Sequence, residues 1–178
     1  MFDCDYPQIP DSPQFVRFLI HCLRNHPDKR MRYICAHHAR LKSNERLRSA
    51  IIARASDLGE HPTVRGECLE SFTMNWSRSW SRTDRKAHRT VIKCLRDSDP
   101  YVRFWACYAA ANNKMHWVIP ILESMKDDDE PAAMGETVGF EATEAIKALR
   151  IGYAWEDGFP SGLPPATSWE NLHFNPYD

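Results

Sequence analysis

Asp97-Ser98-Asp99-Pro100-Tyr101-Val102-Arg103-Phe104-Trp105-Ala106-Cys107-Tyr108-Ala109-Ala110-Ala111-Asn112-Asn113 decides the fold. The acidic turn ends in Asp99-Pro100. Proline suits a helix's first turn, where its missing N–H would be unpaired anyway. Asp99 can accept bonds from the orphan amides as an N-cap. Val102, Ala106 and Ala109/Ala110 then recur at helical spacing.

The pattern returns along the chain. Pro62-Thr63-Val64-Arg65-Gly66-Glu67-Cys68 repeats Pro-x-Val-Arg-x-x-small. His26-Pro27 leads into Met31-Arg32-Tyr33-Ile34-Cys35-Ala36 with two extra residues in the turn. Asp129-Glu130-Pro131 leads into Val138-Gly139-Phe140-Glu141-Ala142 with a longer turn and no arginine. The equivalent positions 32, 65, 103 and 139 lie roughly 33–38 residues apart, within the span of helix-pair repeats. The preceding segments match too: Leu19-Ile20-His21-Cys22-Leu23-Arg24 aligns with Val91-Ile92-Lys93-Cys94-Leu95-Arg96, two periods away. Gly139 in the arginine position marks a terminal, atypical repeat.

These motifs resemble the HEAT repeat, whose second segment reads Asp-Pro-x-Val-Arg-x-x-Ala, in particular the phycobilisome-lyase type in a small bacterial-type protein. The resemblance implies an all-α fold: a right-handed α-solenoid of about four helix pairs. It carries no lyase activity over. HEAT-like hydroxylases hold iron through His-Glu dipeptides, and this chain has none.

Three segments are expected. Residues 1–11, rich in Pro and Asp, form an irregular lead-in; residues 12–152 form the repeat domain; residues 153–178 form a Pro- and aromatic-rich extension. That extension is too aromatic for an ordinary disordered tail, so it either caps the open end of the last repeat or binds a partner. Eight helices are expected. The first runs from Ser12-Pro13 to about Asn25, and the second from His26-Pro27 to about Arg40. The third starts at Ser43-Asn44-Glu45, turns Leu47, Ile51, Ala55 and Leu58 inward, and ends at Gly59. The fourth covers about Pro62–Met74, and the fifth begins at Thr83-Asp84 and reaches about Arg96. Asn112-Asn113 offers a left-handed stop for the sixth, which is the opening stretch. The seventh covers about Lys114–Met125, with Pro120 either kinking it or marking a later start. The eighth covers about Glu136–Arg150.

Composition is globular, with 43% hydrophobic and 26% charged residues. No apolar run approaches the length of a membrane span, and the N-terminus lacks a basic start and an apolar core, so a cytoplasmic protein without membrane contact is expected. Cys22, Cys35, Cys68, Cys94 and Cys107 fall in apolar helical patterns with no Cys-x-x-Cys, which reads as buried thiols rather than disulfides. The net charge of −1 hides an asymmetry. Residues 1–55 carry ten Lys/Arg against five Asp/Glu, and residues 101–178 carry five against twelve.

Catalytic motifs are missing: no phosphate-binding glycine loop, no His-Glu-x-x-His and no Gly-x-Ser-x-Gly. His37 and His38 are adjacent, so they leave a helix on different faces and make a poor metal pair. No enzyme activity, metal or cofactor is expected. Two features point to binding. Arg17, His21 and Arg24 share one face of the first helix and align with Arg89, Lys93 and Arg96 two repeats on; Arg82 and Arg85 extend the second row. Arg46, Arg48 and Arg54 contribute less clearly from the helix between. In HEAT folds the second helix of each pair lines the concave side, and these rows are expected to form one concave basic face. The insertion Trp76-Ser77-Arg78-Ser79-Trp80-Ser81-Arg82 supplies Trp76, Arg78, Trp80 and Arg82, residue types that concentrate binding energy at interfaces.

The resemblance therefore implies a non-catalytic protein-binding scaffold. Its partner would be a protein with an acidic surface, blocked by steric occlusion in the manner of an immunity or inhibitor protein. The alternative is a nucleic-acid-binding protein resembling HEAT-like alkylpurine DNA glycosylases, with Trp76, Trp80 and Trp105 as aromatics. The near-zero charge and the acidic C-terminal half weigh against it.

Overall fold

The structure is a computed structural model, and it describes residues 12–40, 44–74 and 85–151. Among these, the α-helices are α1 (Pro13–Asn25), α2 (Lys29–Ala39), α3 (Glu45–Ala55), α4 (Pro62–Met74), α5 (Arg85–Cys94), α6 (Pro100–Asn112), α7 (Ile119–Glu123) and α8 (Val138–Ile151). One 3-10 turn, His116–Val118, precedes α7, and an isolated bridge joins Pro131 to Thr137. Among the described residues no helix is long and apolar enough to cross a membrane.

The helix starts follow from local chemistry. Ser12 Oγ accepts from Phe15 N at 3.1 Å, and Pro13 occupies the first turn of α1. Asp28 caps α2 through Arg30 N (2.8 Å), and Asn44 caps α3 through Arg46 N and Leu47 N. Asp99 caps α6 through Tyr101 N at 2.9 Å. Each cap satisfies amides that have no acceptor within the helix.

Packing separates the helices into two layers. α2 packs on α4, α4 on α6 and α6 on α8; α1 packs on α3, and α3 on α5. Each odd helix also packs on the even helix that follows it. The core lies between the layers. Leu19, Leu23, Ile51 and Val91 come from the odd layer, and Ala36, Val64, Val102, Ala106, Val138 and Ala142 from the even one.

The recurring arginines cross-link successive pairs. Arg32 on α2 makes a bidentate pair with Glu60 (2.5 and 2.7 Å) and donates to the carbonyls of His26 and Pro27. Arg65 on α4 makes one with Asp97 (3.2 and 2.5 Å) and donates to Ala55 O. Arg103 on α6 reaches Asp128 and Glu130 (3.0 Å each) and donates to the carbonyls of Asp97 and Ser98. Each guanidinium thus ties its own preceding turn or helix end to the turn before the next second helix. At the fourth position, Gly139 N donates to Asp128 O at 2.7 Å. A Cβ there would lie 2.4 Å from Lys126 O. The arginine is missing because backbone already fills its place.

Several expectations are corrected. Leu58 is 82% exposed, because α3 ends at Ala55 with Ser56 as its C-cap, before Leu58 could continue the inward stripe. Of the two readings of Pro120, the later start holds: it falls in the first turn of a short α7. Asn113 keeps φ −89°; the left-handed residue after α6 is Lys114, with φ 53°. Arg96 lies in the turn beyond α5. The lead-in, the Trp76–Arg82 insertion and the extension from 153 lie outside the described residues.

Candidate functional site

Arg17, His21 and Arg24 are exposed on α1, as are Arg85, Arg89 and Lys93 on α5 and Arg96 just beyond it. Among the described residues, Arg17, Arg24, Arg85, Arg89, Lys93 and Arg96 have no ion-pair partner. α5 itself carries no acidic residue. α3 lies between the rows, which helix packing at 8–10 Å per neighbour sets roughly 16–20 Å apart. Arg46 is exposed there. Arg48 pairs with Glu45 at 3.5 Å, and Arg54 is held by Leu23 O, Arg24 O, Asp57 and Glu60. Phe18 beside Arg17 is 49% exposed, and Trp117 stands edge-on to His88 of α5 at 5.0 Å. Trp76, Arg78, Trp80 and Arg82 belong to the segment outside the described residues.

Both rows stand in the layer of α1, α3 and α5.

The second-helix layer carries a different cluster, where α4 lies between α2 and α6. His37 Nδ1 meets Glu67 Oε1 at 3.0 Å. Arg40 donates to Glu70 Oε1 (3.0 Å) and to His37 Nε2, which leaves the ring proton on Nδ1, facing Glu67. Glu70 stands one turn beyond Glu67 on α4, and the negative charge of Glu67 acts on both the Tyr33 hydroxyl and the Glu70 carboxyl. On α6, Trp105 is edge-on to Tyr101 (6.3 Å) and to Tyr108 (5.5 Å). Gly66 lets this aromatic edge close on α4: a Cβ there would lie 2.4 Å from Tyr101 Cε1 and 2.6 Å from Trp105 Cδ1. Glu67 is buried, while Tyr33, Glu70, Tyr101 and Tyr108 keep part of their surface in solvent.

Burial sets the electrostatics. Glu70 is pushed up to about 7 by desolvation and by the neighbouring Glu67, against the opposing pull of Arg40. Tyr108 is pushed up to about 12 by burial, and Tyr33 and Tyr101 rise further for the same reason. His38 is lowered by burial and by the adjacent His37 and Arg40. On α8, burial pushes Glu141 up to about 8, and its Oε1 has no hydrogen-bond partner among the described residues. Burial also raises the thiols of Cys35 (about 12), Cys94 (about 11), Cys68 and Cys107, which keeps them protonated and unreactive.

The sequence held a signal for the second cluster. His37, Glu70 and Tyr108 each stand five residues after a cross-linking arginine, so one register position yields three polar or aromatic side chains on successive second helices.

Comparison with protein-family models, with curated proteins and with solved structures gives no match.

Proposed function

We propose that the chain is a HEAT-like α-solenoid of about four helix pairs that acts as a non-catalytic protein-binding module. The two-layer order of the helices and the recurring arginine cross-links support the architecture. One observation carries the binding role: Arg32, Arg65 and Arg103 on α2, α4 and α6 are committed to acids within the chain, while the arginines of α1 and α5 are exposed with no ion-pair partner among the described residues. Exposed cations in two rows suit an acidic partner surface, and Phe18 and Trp117 add apolar contact beside them. Steric occlusion of that partner, as by an immunity or inhibitor protein, is the mode this reading favours.

The test is capture from native lysate with the full chain beside Arg17→Glu/Arg89→Glu/Lys93→Glu, followed by reconstitution from purified components over a salt series. A stoichiometric protein complex that the variant loses supports the reading. Co-purifying nucleic acid with a steep log-linear salt dependence would replace it with the polynucleotide alternative. An unchanged partner set would remove the rows from the binding surface.

A further inference from the structure

We propose that residues 153–178 lie on the outward stripe of α8, in the seat that a further second helix would take. The basic rows stand in the other layer and play no part in it.

The register of the second helices shows what that stripe is for. The residue after the cross-linking position is Gly66 on α4, Phe104 on α6 and Phe140 on α8. At Gly66 the surface of α4 receives the next second helix: an added Cβ would meet the Tyr101 and Trp105 rings of α6. Phe104, on the helix that α8 packs against, is 3% exposed, whereas Phe140 is 42% exposed. Seven residues on, Thr73 and Ala111 are buried, and Lys147 is exposed. Phe140, Lys147 and the exposed Ile151 fall within about 20° of one line along α8. The buried Val138, Ala142, Ala145 and Leu149 lie opposite. The helices packed on α8 are α6 and α7, both earlier in the chain. The surface that α4 and α6 each give to the next helix is therefore left open on α8 among the described residues.

Position selects the occupant. α8 ends at Ile151, on the stripe itself, and the chain continues from there. The distance back to Phe140 is about 16 Å, which about five extended residues span. A segment tethered so closely acts at an effective concentration on the order of millimolar.

Composition agrees. Trp155, Phe159, Leu163, Trp169, Leu172 and Phe174 supply apolar area to set against Phe140 and Ile151. The same segment holds Glu156, Asp157, Glu170 and Asp178 and no Lys or Arg. Lys147, at the middle of the stripe, donates to Glu144 of its own helix and keeps further N–H donors for a carboxylate.

The joint chemistry weighs against a second copy. A second helix seated on α8 would need the grip that Arg65 places on Asp97. Position 139 is instead a glycine pressed by the backbone of Lys126 and Asp128. The seat offers apolar surface without the grip, which suits a segment held by its own covalent link. The extension is then spent within the chain, closing its last core.

The test is hydroxyl-radical footprinting of the full chain, read by mass spectrometry, with each side chain's rate scaled to its rate in the heat-unfolded chain. Phe140 and Leu58 are 42% and 82% exposed, so without a cover Phe140 reacts about twofold more slowly. With the segment in place, it should react at least about fivefold more slowly. In Trp155→Ser/Phe159→Ser/Trp169→Ser, the rates at Phe140 and Ile151 should rise about threefold, with Leu58 and Phe18 unchanged. In Phe140→Ser/Ile151→Ser, the rates at Trp155 and Trp169 should rise by a similar factor. A difference of only about twofold in the parent chain overturns the proposal. So does a Phe140 rate that is the same in the parent and the segment variant. Protection that disappears on dilution together with a dimer in light scattering also overturns it and assigns the seat to a second copy. Helical circular dichroism checks each variant, and the ratio of Phe140 to Leu58 in the parent chain decides by itself if a variant unfolds.

Discussion

Arg65 and Asp97, 32 residues apart in the chain, meet as a two-pronged ion pair whose side chains are each only 6% exposed. The guanidinium also donates to Ala55 O, so one side chain joins the end of α3, its own helix and the turn before α6. Breaking such a pair from one side leaves an uncompensated buried charge. Arg65→Ala or Asp97→Ala is expected to cost about 3–5 kcal/mol in urea unfolding, and the double variant less than the sum. Glu130, the exposed arm of the Arg103 cross-link, should contribute less than about 1 kcal/mol.

Glycine is required twice by close approach. At Gly66 an added methyl meets the Tyr101 and Trp105 rings, which can give way in part; at Gly139 it meets the backbone carbonyl of Lys126 at 2.4 Å, which cannot. Gly66→Ala should cost roughly 1–3 kcal/mol, despite a helix-propensity gain of about 1 kcal/mol. Gly139→Ala should cost more. Paired denaturation curves rank the two, and the reverse order would place the tighter contact at α6.

Glu141 supplies a pH prediction. Its carboxyl titrates near 4.5 when unfolded and is raised to about 8 by burial in the fold. The folded state therefore binds the extra proton between these values. This contribution to stability is fully present below about pH 4.5 and is lost as pH rises through about 8. Glu141→Gln removes the dependence. Near pH 9 the variant should exceed the parent by on the order of 3 kcal/mol, and near pH 5 the two should differ little. Urea melts at both pH values check the sign.

Surface and interior arginines should separate cleanly in thermal melts. Arg89 is exposed and unpaired among the described residues, so Arg89→Ala should change stability by no more than about 0.5 kcal/mol. Arg54 donates to the last carbonyls of α1, Leu23 O at 2.7 Å and Arg24 O at 2.8 Å. Its loss should cost roughly 1.5–3 kcal/mol, because hydrogen bonds from a charged donor are removed.

Much of the helical layout is legible in residue order because its causes are local. Ser12-Pro13 and Asp99-Pro100 announce their helices by capping chemistry, and both caps form. The recurring arginine was readable as a period, but its use was not, since Glu60, Asp97 and Asp128 come from turns about thirty residues downstream. Leu58 misled because a helical stripe read from one face continues past the residue where the helix stops. The Tyr33–Glu67–Tyr108 face escaped notice for a related reason. No single helix of it looks special, and its chemistry exists only after three helices are laid side by side. The basic rows were visible, but helix periodicity states which residues share a face and not which layer that face belongs to.

The guanidinium cross-links also give the stack a direction. Each points from one second helix to the turn before the next, so every unit offers a grip at one end and a handle at the other. Duplicating α5–α6 would copy both halves, and the new unit could join its neighbours by the same rule. Duplicating α7–α8 would copy the acidic handle of Asp128 and a glycine in place of the grip. The joint that Arg32, Arg65 and Arg103 make therefore has no counterpart at position 139, where a side chain would meet the backbone of Lys126.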